Sequence, residues 1–180
     1  MRLASAFAAL LSVLAVTGCG DERSEAPPAP HKLTADAVGH YCGMTLMEHA
    51  GPKGQIILAS RSDPVWFSSA RDAFSFTMLA EEEKDVRAIY VSDMARAPSW
   101  DDPGADNWVD AHTAFFVIGS SKQGGMGAPE TVPFSDRAAA DKFLGEHGGR
   151  VVTFEEVSRD YVLSSEPFPE SAAEEPHPEQ

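Results

Sequence analysis

PVWFSSARDAFSF, residues 64–76, and TVPFSDRAAADKF, residues 131–143, decide the fold. Displaced by 67 positions, Val65, Phe67, Ser68, Ala73 and Phe76 fall on Val132, Phe134, Ser135, Ala140 and Phe143. Each stretch begins as a short apolar strand and passes through serine into a helical pattern. In the first, Ser69 and Asp72 have capping-box spacing, and Asp72 suits the positive end of the helix dipole. Ala70, Ala73, Phe74, Thr77 and Met78 then recur at helical spacing until EEEKD, 81–85, ends the helix. In the second, Ser135 is the expected N-cap and Gly148-Gly149 the stop.

Outward from these stretches the pattern continues in parallel. GQIILAS (54–60) and TAFFVIGS (113–120) read as strands upstream, and DVRAIYVSD (85–93) and RVVTFEEV (150–157) as strands downstream. DVRAIYVSD alternates through Val86, Ala88 and Tyr90 and breaks register at Val91. Five matches in an Ala-rich helix are modest evidence alone; the shared order strand, strand, helix, strand is stronger. The expected fold is α+β: two homologous ββαβ units packed together, residues 34–98 and 113–163, flanked by disordered tails. Three short strands and one helix bury too little surface to stand comfortably alone, which accounts for the pairing. Residues 99–112 link the units, with Trp100 and Trp108 read as packing anchors.

The termini have a different character. Arg2 followed by an apolar run over 3–16 reads as a signal peptide, residues 1–18, too short to span a membrane. It ends in Val16-Thr17-Gly18-Cys19, which looks like a bacterial lipobox with Cys19 as the lipidated new N-terminus; the bland alternative is an ordinary secretory signal. Gly20 stands where inner-membrane retention calls for Asp, which points to the outer membrane, although Asp21 leaves the leaflet open. Residues 19–33 read as a semi-extended tether and 164–180 as a disordered acidic tail, both poor in large apolar groups. His31 and His177 fall in these tails as solvated bystanders. The formal charge of −14 becomes −15 once Arg2 leaves with a signal that contains no acid. Such a surface repels nucleic acid and suits cations or a basic partner.

With Cys19 lipidated, Cys42 is the one thiol left, in HYCGMTLMEH, 40–49. An unpaired cysteine outside the cytoplasm needs an explanation. Thiolate and thioethers are soft donors that select copper(I), whereas zinc usually takes four thiolate or imidazole ligands. Met44 projects beside Cys42 if the chain is extended; if it is tightly turned, Gly43 permits the close approach. Met47 reads as core, and His40 and His49 either reach the ion or sit exposed. Far along the chain, SSKQGGMGAPE (120–130) offers Met126 between glycines, in a loop with no apolar periodicity to explain it. Met78 reads as core; Met94 is open.

The lipobox, YCGM, SSARDAF, NWVDAHTAFFVIGS, GGMG and the closing FEEV together resemble the NosL family of copper-chaperone lipoproteins, over residues 40 to about 160. The resemblance implies a monomer of two ββαβ units that is not an enzyme. It implies copper(I) held through a cysteine and a methionine, which fall here on Cys42, with Met44 two residues on, and on Met126. The expected site is Cys42 and Met126 with Met44 or His49 as a changeable third ligand. It further implies delivery to nitrous oxide reductase or its membrane maturation complex, from the periplasmic face of a bacterial membrane. The rival reading is an enzyme or redox protein using Cys42, for which no Cys/His/acid constellation of recognisable spacing is found and no CxxC is present.

Overall fold

The computed structural model describes residues 26–164. The expected signal peptide, the lipidation site Cys19 and all but the first residue of the acidic tail lie outside them. The elements run β1 (Gly54–Leu58), β2 (Val65–Phe67), α1 (Ala70–Met78), β3 (Val86–Ser92), β4 (Trp108–Asp110), β5 (Phe115–Ile118), β6 (Val132–Phe134), α2 (Arg137–His147), β7 (Arg150–Val152) and α3 (Arg159–Leu163). The two ββαβ units are β1-β2-α1-β3 and β5-β6-α2-β7. Each forms an antiparallel sheet, in the orders β2-β1-β3-β4 and β6-β5-β7.

β1 is buried along its whole length because its sheet is covered on both faces. Ile56 and Leu58, with Val65, Phe67, Ile89 and Val91, face a core completed by Ala70, Ala73 and Phe74 of α1. Ile57, Ala88, Tyr90 and Trp108 face the other way, under Leu33, Ala37 and Leu46. Side chains two apart share a face. The break in that alternation falls earlier than Val91. Ile57 pairs with Ala88 and Leu58 with Val86, so a bulge absorbs Arg87 and turns Val86 towards the α1 side. The second unit shares the same core. Phe116 of β5 meets Phe74 edge to face at 5.0 Å, and Phe154 stacks on Phe74 at 4.7 Å. α2 covers the opposite face of β5, where Val117, Val132, Phe134 and Ala140 pack with Trp100 and Phe143.

Several expectations are corrected. Residues 26–33 are not a free tether but a strap on the outer face of the first sheet. Gln55 exchanges two hydrogen bonds with the His31 backbone, at 2.8 and 2.9 Å, Tyr90 Oη donates to the Pro28 carbonyl, and Leu33 is buried. Part of the expected linker is structural, because β4 adds a fourth strand beside β3. α1 stops at Met78, before the acidic run, and Ser69 is its N-cap residue without making a side-chain cap bond. α2 is capped by Asp136, which accepts from the Ala138 and Ala139 amides, while Ser135 donates instead to the buried Asp93. Of RVVTFEEV only 150–152 is strand; a 3-10 turn, Phe154–Glu156, and α3 follow. Met78 packs against the core as expected, Met94 joins the α2 cluster, and Trp108 is buried.

Candidate metal centre

Residues 38–45 form a small hairpin closed by the Val38–Thr45 bridge and by the Gly39 amide donating to the Met44 carbonyl at 2.9 Å. The chain there is tightly turned, not extended: the Gly43 amide returns to the Gly39 carbonyl, and Gly43 has φ 65°. That left-handed value is where glycine costs least. Gly39 makes room for the thiol, since a Cβ there would lie 2.5 Å from Cys42 Sγ. The His40 amide pins the hairpin to β2 through the Trp66 carbonyl, and Tyr41 Oη donates to Glu82. Burial, followed by the Glu82 carboxylate, pushes the Tyr41 phenol well above its ordinary range.

His49 is buried, at 7% exposure, rather than on the surface. Its Nε2 stands 3.7 Å from Cys42 Sγ and its Nδ1 3.1 Å from the Gly125 carbonyl. A carbonyl only accepts, so in the neutral ring the proton sits on Nδ1 and the Nε2 lone pair faces the sulfur. The segment that carries His49 is clamped from below. Lys53, 2% exposed, donates from Nζ to the His49 and Gly51 carbonyls at 2.6 and 2.7 Å. Burial lowers the Lys53 ammonium to about 8, opposed by the charge of Glu130.

The second hairpin, from the other unit, meets His49 from above. Gln123 and Pro129 form a bridge, the Gly124 amide donates to the Ala128 carbonyl at 2.8 Å, and the Gly127 amide closes a turn on the Gly124 carbonyl at 2.9 Å. Met126 therefore sits at the apex. Among the described residues the exposed large hydrophobic side chains are Val38, Tyr41, Met44, Met47 and Met126. All five lie on the two hairpins or the short turn between Met44 and His49. Met47, expected in the core, is 64% exposed. Its turn, Leu46–Glu48, is 3-10 and buries only Leu46.

A family model described as NosL matches residues 30–162. The chain belongs to the NosL family. It is 40% identical over 165 residues to the copper-binding lipoprotein NosL of Achromobacter cycloclastes, covering 91% of this chain and 86% of that protein. It is 33% identical over 155 residues to the protein of the same description from Stutzerimonas stutzeri, covering 84% and 78%. The crystal structure of the copper chaperone NosL from Shewanella denitrificans superposes with a TM-score of 0.69 at 34% identity, over 74% of this chain and 98% of that one. These NosL relatives are described as copper-binding and chaperone proteins, not as enzymes.

In this NosL chain the approach of the Met126 hairpin to His49 depends on a missing side chain. A Cβ on Gly125 would lie 2.5 Å from His49 Cβ and 3.0 Å from its Cγ. Gly125→Ala should therefore lift the Met126 hairpin away from His49. The expected outcome is a faster alkylation of Cys42 by a bulky maleimide, with secondary structure unchanged by circular dichroism. An unchanged alkylation rate would show that the hairpin does not restrict access to the thiol. Sequence reading missed Lys53 and Glu130 altogether: a lysine in the turn AGPKG and an acid after a loop carry no local signal of burial.

Proposed function

We propose that this chain is a lipid-anchored, extracytoplasmic carrier of copper(I), holding the ion at Cys42 and His49 with a thioether from Met126 or Met44 completing the site. The observation that carries this reading is the 3.7 Å separation of Cys42 Sγ and His49 Nε2, with Nδ1 engaged by the very hairpin that presents Met126. Using metal–sulfur and metal–nitrogen distances of about 2.3 and 2.0 Å, those of zinc, another d10 ion, a three-coordinate ion separates its donors by about 3.7 Å. The spacing found already suits a trigonal ion. Thiolate, imidazole and thioether together form a soft donor set, which favours the monovalent ion.

Among the described residues no third His, Cys, Asp or Glu joins the pair in a metal-holding group, so this reading takes its third donor from a thioether. Low coordination also serves transfer. An incoming donor attacks the open side of the ion and displaces the thioether first, so copper passes on without being released to water. The apolar rim of Val38, Tyr41, Met44 and Met47 is the natural docking face for an acceptor. In this reading Cys19 carries the lipid, the globule stands at the periplasmic face of a bacterial membrane, and the acceptor is nitrous oxide reductase or its maturation complex. The names of the relatives support the copper and lipoprotein parts.

The test is an anaerobic titration of the chain beginning at Gly20 with copper(I) in competition with a chromophoric chelator. One ion per chain, bound tightly enough to strip the chelator, is expected. Failure to compete would sink the carrier reading and return Cys42 to thiol chemistry.

A further inference from the structure

We infer that Glu130 is a positioning residue for the Met126 hairpin: its carboxylate is wedged between the N-terminus of α1 and Gly124, and sets how closely Met126 is presented to an ion at Cys42. The inference rests on the reading of Met126 as a donor.

Glu130 is 1% exposed, at the foot of the hairpin. Its backbone is fixed on both sides: the amide donates to the Lys122 carbonyl, and the carbonyl accepts from Tyr161 Oη at 2.8 Å. Oε1 accepts from Ser69 Oγ at 3.1 Å, from the Arg71 amide at 2.9 Å and from the Thr131 amide at 2.8 Å. This explains why the α1 N-cap residue makes no cap bond of its own. Its hydroxyl is turned to a carboxylate from the other unit, and that carboxylate takes over the free amide at the helix start. Three donors and a helix terminus hold Oε1 immobile.

Oε2 behaves differently. It is buried and, among the described residues, has no hydrogen-bond partner. What it faces is the Cα of Gly124, where a Cβ would lie 2.3 Å from Oε2, 3.2 Å from Glu130 Cδ and 3.3 Å from Ser69 Oγ. The first residue of the Met126 turn thus rests directly on a fixed oxygen, with no side chain between them. The height of closure is then set by a rigid stop at Gly124, while the hydrogen bond between His49 and the Gly125 carbonyl holds the hairpin down on it. Lifting the hairpin would let water reach Oε2, which relieves the cost of an unpaired buried oxygen. The arm is therefore built to close at one height and to open from the Glu130 stop by giving up its hydrogen bond to His49, which suits a donor that must let go during transfer.

A double-mutant cycle on copper(I) affinity tests this, read by chelator competition on the chain beginning at Gly20. In the parent, Met126→Leu should weaken binding about tenfold or more, in the range of couplings between contacting groups. With Gly124→Ala present, whose added methyl collides with the carboxylate, the same Met126→Leu should change affinity less than about twofold. Glu130→Ala should uncouple Met126 likewise, and Glu130→Gln, which keeps the shape and an acceptor for the three donors, should restore the dependence. Gly124 has no left-handed φ, so its alanine variant carries no backbone strain and keeps the test valid if Glu130→Ala fails to fold. Equal factors in all backgrounds would overturn the positioning role alone. No effect of Met126→Leu in the parent would remove the donor reading and this inference together.

Discussion

Cys42→Ser is expected to lower copper(I) affinity by more than about 100-fold, beyond the range that outer-shell partners of a metal site usually command. The two side chains differ by one atom, and the smaller hydroxyl fits the space that Gly39 leaves for the sulfur. The fold should be unaffected, so the loss isolates donor chemistry. A hydroxyl is hard and stays protonated at neutral pH, whereas thiolate is soft and carries the charge that a monovalent ion needs. His49 Nε2, already aimed at the site, would be left with thioethers alone. The same chemistry gives a pH signature. Where the free thiol is protonated, binding releases its proton, so affinity should rise about tenfold per pH unit from this group, a contribution that Cys42→Ser removes. Chelator competition at several pH values reads both effects. Less than a tenfold loss in Cys42→Ser would mean that copper is held elsewhere.

Glu130→Gln should change how stability depends on pH. Burial raises the Glu130 carboxyl from 4.5 to about 7, despite the opposing hydrogen bonds from Arg71, Thr131 and Ser69. Folding therefore tightens its hold on a proton. The contribution favours the fold fully below about 4.5 and is lost as pH rises through about 7. Across that window the parent should lose on the order of 3 kcal/mol relative to Glu130→Gln, which stays neutral. Other carboxylates act in the opposite sense. At Asp93 burial pushes the carboxyl up, yet the hydrogen bonds from Ser135 and Arg96 pull it lower still. The difference between parent and variant, measured by urea unfolding at pH 5 and pH 8, removes those shared terms. A constant difference would show that Glu130 is ionised at both values in the folded chain.

The repeat was legible because helix and strand periodicities are local. Val65 and Val132 do open equivalent strands, and the glycine stop after α2 is where the chain turns, with Gly148 at φ 71°. What was not legible depends on the meeting of distant residues. Ser69 looks like a cap in isolation; only the arrival of Glu130, 61 residues later, turns its hydroxyl away. β4 was read as linker because three residues, Trp108 to Asp110, gain their strand character only by pairing with β3. At the site, the sequence supplied Cys42 and the unusual placement of Met126 between glycines. It could not supply the environment of His49, whose burial comes from a glycine hairpin 76 residues away. Met47 is exposed although its spacing from Met44 suggests one helical face, because the short turn Leu46–Glu48 that contains it buries only Leu46.

The strap over residues 26–33 has a consequence for how far the protein can travel. With its backbone bonded to Gln55 and Tyr90, the strap belongs to the globule and adds nothing to the length of any leash. If lipid is carried at Cys19, only residues 20–25 separate it from the docked chain, a reach of about 25 Å at full extension. The folded body is itself broader than that, with a radius of gyration of about 14 Å expected for its length. Under the proposed carrier reading, the search for an acceptor would then be two-dimensional, within a thin layer over the bilayer. Two proteins confined to such a layer meet at a raised effective concentration. A cargo handed on by direct contact gains most from that confinement, and only acceptors whose receiving surface lies at the same height can collect it.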